Sequence, residues 1–191
     1  MHNLAIAPKG QVVSGASTGL LPQEHAEQSQ YLTFMLGNEV FAIGILAIKE
    51  IIEYSGLTVV PMMPPAVRGV INLRGAVVPV MDLAARFGKP ATEVGKRTCI
   101  VIVEVISEHE RQDIGVIVDA VNEVLDIAPG DIELPPSFGA RIRNDFICGM
   151  GKVGNRFVIL LNANRVLSVD ELDFLTGQET EAEQPALLET H

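Results

Sequence analysis

The sequence lacks tryptophan, and aromatic residues together make up only 5% of its 191 positions. A hydrophobic core must therefore be built mainly from valine, isoleucine and leucine, which favour β-strands. Basic residues are also scarce, because 14 lysines and arginines stand against 24 aspartates and glutamates, a net charge of −10. This charge balance excludes a basic nucleic-acid-binding surface.

Long apolar runs are missing as well. The run at residues 99–103 ends at Glu104 and no other run is longer, whereas a membrane-spanning helix needs about 20 apolar residues. The N-terminal segment has one lysine and a short apolar stretch that ends at Pro8, which is too little for a secretory signal. The sequence therefore predicts a protein that stays in the cytoplasm and does not insert into a membrane.

Reactive side chains are few and scattered. The four histidines are far apart in the sequence: His2, His25, His109 and His191. The cysteines, Cys99 and Cys148, lie in or beside apolar segments without a C-x-x-C or Cys/His spacing, so we predict reduced core residues. The sequence indicates no metal site, no cofactor and no nucleophile with its base, and we expect no enzyme activity.

One string fits a cofactor motif. Residues 149–154 match the dinucleotide fingerprint G-x-G-x-x-G. That fingerprint binds pyrophosphate only when a helix begins directly after the glycines. Here an apolar run typical of a strand follows at residues 157–161, so we interpret the glycines as parts of a tight hairpin.

Composition divides the chain into three parts. Residues 1–29 are rich in glycine, serine, glutamine and alanine and predict a flexible leader. Residues 176–191 contain four glutamates and no lysine or arginine, which predicts an acidic flexible tail. Residues 30–175 remain as the folded domain.

Short apolar segments recur through this domain, separated by glycine, proline and asparagine, and predict strands. They cover residues 31–36, 40–45, 48–53, 77–81, 98–106, 114–118, 121–127 and 157–161. Helices are predicted only at residues 82–87, at residues 162–167 and after Ser168, which opens a capping box. The pattern indicates an all-β fold.

The domain also contains an internal repeat. Residues 43–52 align with residues 116–125, so that Glu50 falls on Glu123, and residues 77–82 align with residues 157–162. A unit of this size is too small to be very stable alone. We therefore predict two interleaved β-barrel subdomains, roughly residues 30–95 and 96–165, followed by a C-terminal helix and packed side by side with a groove between them.

Arg74 breaks this repeat. The turn Asn72-Leu73-Arg74-Gly75 aligns with Lys152-Val153-Gly154-Asn155, so the arginine has no counterpart in the second copy. Arg74 is either a solvated turn residue or is held near Glu50, from where it presents a planar fork to a partner.

Several of these strings together resemble the CheW family of chemotaxis coupling proteins. The resemblance rests on residues 36–43, 48–51, 61, 64–65, 69–75 and 78–83, and continues through residues 116–125 and 157–161. The stretch G-V-I-N-L-R-G-x-x-V-P-V-x-D-L, residues 69–83, is its most specific part.

The resemblance implies two SH3-like, five-stranded β-barrels packed side by side, and a non-enzymatic adaptor. Such an adaptor couples the cytoplasmic tips of methyl-accepting chemoreceptors to the regulatory domain of the histidine kinase CheA, in arrays at the inner face of the membrane. The positions that match the family's receptor-contact pattern are Ile48, Glu50, Arg74, Cys99, Gly115 and Val121. Cys99 departs from the pattern, because an aliphatic residue is more usual there. An adaptor of a pilus or twitching-motility pathway, or of another chemosensory pathway, remains the alternative.

Overall fold

The computed structural model describes residues 30–107, 110–136 and 143–168. Its strands are β1 (Gln30–Leu36), β2 (Glu39–Gly44), β3 (Ile48–Glu53), β4 (Val67–Leu73), β5 (Ala76–Asp82), β6 (Cys99–Ile106), β7 (Arg111–Val118), β8 (Ala120–Asp126), β9 (Ile132–Glu133), β10 (Ile147–Val153) and β11 (Arg156–Leu161). Two α-helices of one turn each follow β5 and β11: α1 (Leu83–Arg86) and α2 (Ala163–Val166). The predicted leader, the acidic tail and the helix expected after Ser168 lie outside the described residues.

The strands form two sheets, and each sheet contains strands from both halves of the sequence. One sheet has the order β8-β1-β2-β11-β10-β9, and the other has the order β3-β6-β7-β5-β4. The halves exchange strands through two parallel pairs, β2 with β11 and β5 with β7. Residues 30–95 therefore do not form a barrel by themselves.

Each sheet closes because the chain that leaves one edge strand returns to the opposite edge. After β3, Thr58 exchanges two backbone hydrogen bonds of 2.9 Å with Val70 of β4. After β8, the short strand β9 pairs with β10. We call the closed β8-to-β9 sheet barrel 1 and the closed β3-to-β4 sheet barrel 2. The prediction of an all-β fold with two small barrels is confirmed, with the two-residue β9 as a sixth strand in barrel 1.

The central strands are buried on both faces, since successive side chains of a strand point to opposite sides. The interior of barrel 2 consists of Val78, Val80, Ile100, Ile102 and Ile117. The interior of barrel 1 consists of Ala42, Ile127, Val158 and Leu160. A third and larger cluster draws on both sheets and includes Phe34, Phe41, Met81, Val101, Val103 and Val116. We call this third cluster, which joins the barrels, the central core.

The duplication is visible in the hairpins β4-β5 and β10-β11. Gly69 and Gly149 each follow a register shift, and a Cβ atom on either glycine would lie 2.5 Å from an atom of the segment that closes the barrel. The interpretation of the glycines of residues 149–154 as parts of a hairpin agrees with the β10-β11 pair. Gly154 lies in its turn, with φ of 60°, whereas Gly149 and Gly151 lie within β10, where neighbouring segments approach closely.

Each hairpin ends at, or directly before, the N-cap residue of a helix, and the two N-cap residues accept different numbers of hydrogen bonds. Asn162 accepts one capping hydrogen bond, from the Arg165 N–H at the start of α2. Asp82 is fully buried and caps α1 through the N–H groups of Ala84 and Ala85. It also accepts hydrogen bonds from the Arg68 guanidinium at 2.7 Å, the Thr92 N–H at 2.8 Å and the Thr92 hydroxyl at 3.0 Å. Asp82 thus ties three segments of the chain together.

No helix in the described part of the chain is long and apolar enough to cross a membrane.

Candidate protein-interaction site

An ion pair between Arg74 and Glu50 lies at the β4-β5 turn. Arg74 Nη1 donates to Glu50 Oε1 at 2.7 Å, and Arg74 Nη2 donates to Glu50 Oε2 at 2.9 Å. This is the parallel, two-bond geometry that arginine makes with a carboxylate. The Arg74 side chain is 77% exposed and the Glu50 side chain is 25% exposed. Of the two readings of Arg74, the structure therefore supports the one in which Glu50 holds the arginine.

The backbone at Arg74 is unusual for a residue with a side chain. Arg74 has φ of 51° and Gly75 has φ of 88°, the pair of positive values that a type I′ turn requires. The Asn72 side chain supports the turn, because its oxygen accepts a hydrogen bond of 2.8 Å from the Gly75 N–H. In the second copy the position of Arg74 is filled by Gly154. The turn itself therefore favours glycine, and arginine is retained there at a conformational cost.

Glu50 is directed toward Arg74 by the register of β3. Glu50 lies opposite Ile102, which points into barrel 2, whereas Ile48 lies opposite Val103, which belongs to the central core. Directly opposite residues in an antiparallel pair point to the same face. Glu50 therefore faces the interior side of barrel 2, and Ile48 faces the neighbouring barrel.

Three of the predicted receptor-contact residues pack against the central core, and we call these three the apolar rim. Ile48, Cys99 and Val121 are each partly buried and pack against that core. Ile48 is at the start of β3, and Cys99 lies opposite Glu53 at its end. Because Ile48 lies opposite Val103, four residues of β6 separate these levels, a distance of about 13 Å. The site is therefore elongated along β3.

Gly115 lies apart from this surface. It is buried in the central strand β7, where a Cβ atom would lie 2.8 Å from Ile100 Cγ2 and 3.1 Å from Val80 Cγ2. Both neighbours belong to the interior of barrel 2. A partner cannot reach Gly115 directly, so any part it plays in recognition acts through the packing of β5, β6 and β7.

A second group of charges lies beside Glu50 and was not expected from the sequence. Lys49 Nζ is 2.7 Å from Asp113 Oδ1 and 3.2 Å from Glu104 Oε2. Arg111 adds a longer contact of 3.4 Å to Glu104. The hydrogen bonds to Asp113 and to Glu104 raise the pKa of Lys49 above its usual value. Sequence reasoning missed this cluster because its members lie on three different strands.

The two cysteines occupy different environments. Cys99 is partly buried in the apolar rim, but Cys148 is exposed, in β10 between the buried residues Ile147 and Gly149. The prediction of a core position for Cys148 was wrong, because its side chain falls on the outer face of the strand. Both thiols are free. Within the described ranges, no three histidine, cysteine, aspartate or glutamate residues are placed so that they could hold a metal ion.

The site thus combines an exposed, geometrically fixed ion pair with a partly buried apolar rim, a combination suited to binding another protein.

A family model described as CheW-like domain matches residues 30–171. The chain belongs to the CheW family. The family resemblance seen in the sequence is confirmed.

Individual named proteins are similar to this chain over nearly their whole length. The chain is 35% identical to the chemotaxis protein CheW of Helicobacter pylori over 155 residues, which cover 81% of this chain and 91% of that protein. It is 30% identical to the protein FrzA of Myxococcus xanthus over 150 residues, covering 78% and 90%. The crystal structure of the scaffolding protein TtCheW from Thermoanaerobacter tengcongensis matches with a TM-score of 0.67 at 32% identity, covering 75% of this chain and 90% of that one.

Proposed function

We propose that the protein is a non-enzymatic adaptor that couples methyl-accepting chemoreceptors to a CheA-type histidine kinase. The observation that supports this proposal is the conformation and the ion pair of Arg74. An arginine occupies a left-handed turn position where the second copy has Gly154, and a carboxylate fixes its guanidinium in two hydrogen bonds. An exposed ion pair of this kind contributes only about 0–1 kcal/mol to stability, so partner recognition is the better reason for the arginine.

The receptor-binding surface consists of the Arg74–Glu50 ion pair and the apolar rim. The receptor tip presents a helical hairpin, and an amphipathic helix binds by placing its apolar side against a partly buried apolar surface. The rim extends about 13 Å along β3, which corresponds to about two and a half turns of helix. Ile48, Cys99 and Val121 contact the apolar side of the hairpin, while Arg74 binds a polar group at its edge.

The kinase-binding surfaces are at the outer sides of the two barrels. Val77 and Phe157 occupy equivalent positions in the two hairpins, and their exposed fractions are 74% and 49%. Large apolar side chains that remain exposed in both copies are suited to contact with another small barrel. The regulatory domain of the kinase is such a partner, and two similar contacts on one adaptor allow copies to join into an array.

In this account the adaptor makes and breaks no covalent bonds and needs no cofactor. It acts in the cytoplasm, at receptor arrays on the inner face of the membrane. Its contribution is a coupling free energy between the receptor and the kinase, which are bound at separate surfaces. Individual contacts need not be tight, since the many copies in an array raise the effective concentration of each partner.

The similarity to FrzA favours a second candidate, an adaptor of another chemosensory pathway, such as one that controls pilus-driven motility. The receptor and kinase surfaces would be the same, and only the partner proteins would differ.

Co-sedimentation tests the adaptor role directly. Receptor-containing membranes are mixed with the kinase from the same organism, with or without the protein, and then pelleted. We expect most of the kinase in the pellet only when the protein is present. Equal amounts of pelleted kinase with and without the protein would contradict the proposal. Repeating the assay with kinases and receptors of each chemosensory pathway of the organism identifies the pathway that the protein serves.

A further inference from the structure

Strand β3 contains one extra residue between Ile48 and Glu50. These two residues lie opposite Val103 and Ile102, which are consecutive in β6. Lys49 is therefore the additional residue of a β-bulge. In a regular strand Ile48 and Glu50 would point to the same face. The bulge reverses this relation, so that Ile48 reaches the apolar rim and Glu50 reaches Arg74.

The second copy has a bulge at the equivalent place, held in a different way. In β8 the register shifts between Val121 and Val124, opposite Phe34 and Leu32 of β1. There the Thr33 hydroxyl donates a hydrogen bond of 2.8 Å to the Glu123 carbonyl and accepts one of 3.2 Å from the Glu123 N–H. A single neutral side chain on the facing strand thus fixes the bulge of barrel 1.

Barrel 2 cannot form the equivalent hydrogen bonds, because the residue opposite Glu50 is Ile102, which has no side-chain hydrogen-bonding group. Lys49 instead reaches across the sheet to Glu104 of β6 and Asp113 of β7. The side chains of these two acids are 24% and 30% exposed and that of Lys49 is 44% exposed, so water and salt screen the pairs in part. Three strands are linked in this way at the bulge.

We propose that Lys49 is a positioning residue for receptor recognition, whose ion pairs hold the β3 bulge in the register that presents Glu50 to Arg74. This inference rests on the proposed function, since it assigns Lys49 a part in the same receptor-binding surface. Lys49 acts through the direction of Glu50 and need not touch the receptor. The stability of the whole fold should depend little on Lys49, because its side chain is 44% exposed and exposed ion pairs contribute only about 0–1 kcal/mol.

Replacing Lys49 with methionine keeps a long apolar side chain and removes the charge. We expect the affinity for a receptor-tip hairpin fragment, measured by calorimetry, to fall about five- to tenfold while the unfolding midpoint changes little. Lys49→Arg should restore most of the affinity because it can form the same ion pairs. Lys152→Met is the matched control, since Lys152 makes a cross-strand ion pair of 3.2 Å with Glu133 in barrel 1. It should change the affinity less than twofold.

A double-variant cycle separates positioning from general stability. If Lys49 acts through Glu50 and Arg74, then Lys49→Met should cause no further loss of affinity in a chain that already carries Arg74→Gly. Losses that multiply in the double variant would overturn the inference. Normal binding by Lys49→Met beside weak binding by Arg74→Gly would also overturn it, and would leave the proposed function intact. Normal binding by both single variants would refute the receptor surface of the proposed function as well.

Discussion

Arg74→Gly should weaken receptor binding at least tenfold and leave the fold almost unchanged. The left-handed position costs a residue with a side chain about 1–2 kcal/mol, and glycine removes that cost. Against this gain stand the lost exposed ion pair, about 0–1 kcal/mol, and the greater freedom of glycine in the unfolded chain, about 0.4–1 kcal/mol. The free energy of unfolding should therefore stay within about 1 kcal/mol of the wild-type value.

Two measurements on the same sample check this prediction. Urea unfolding gives the stability, and calorimetric titration with the receptor-tip hairpin gives the affinity. Arg74→Ala should also bind weakly with stability within about 1 kcal/mol of wild type. Arg74→Lys keeps the charge but loses the planar fork, and should recover little of the binding. A large loss of stability in Arg74→Gly would assign Arg74 to the fold and not to recognition.

Asp82→Ala should have the largest effect on stability, a loss of about 3–5 kcal/mol, the magnitude observed when one partner of a buried ion pair is removed. The variant leaves the Arg68 guanidinium without its carboxylate partner and removes the acceptor from the Thr92 N–H and hydroxyl. Both N–H groups at the start of α1 also lose their cap. Urea or thermal unfolding followed by circular dichroism measures the loss.

Asn162→Ala provides the control at the equivalent position of the second copy. Asn162 accepts a single capping hydrogen bond, of 3.3 Å, from the Arg165 N–H. The loss of such a cap costs about 1 kcal/mol. Similar losses in the two variants would mean that the contacts of Asp82 with Arg68 and Thr92 contribute little, and that the two copies are equivalent at this point.

The all-β class and the duplication could be predicted because most strands are apolar runs bounded by turn residues. Strands β4 and β10 were missed, since glycine, arginine, asparagine and lysine interrupt their apolar pattern. Their glycines, Gly69 and Gly149, have packing partners that belong to the closing segments after β3 and β8. These contacts join distant parts of the chain, and no local pattern indicates them. The exchange of strands between the barrels is equally non-local.

Within the candidate site, sequence comparison of the two copies was enough to single out Arg74. Its pairing with Glu50 was one of two interpretations, because Glu50 aligns with an identical residue, Glu123. The same comparison could not show that Gly115 is buried. The side of the sheet to which a residue of β7 points depends on the register of β7 against β5 and β6. It also could not indicate Lys49. The positioning role that we propose for Lys49 follows from the bulge in β3 and from its ion pairs with acids on two other strands. Residue type can be compared along a sequence, whereas the direction of a side chain depends on strand pairing.

Reconstitution of kinase control is the most direct test of the adaptor role. Receptor-containing membranes and the kinase are held at fixed concentrations, the protein is added in increasing amounts, and kinase autophosphorylation is followed while receptor ligand is titrated. We expect the kinase to respond to receptor ligand only when the protein is present, and Arg74→Gly to require tenfold or higher concentration for the same response. A kinase that responds equally to receptor ligand without the protein would contradict the adaptor role.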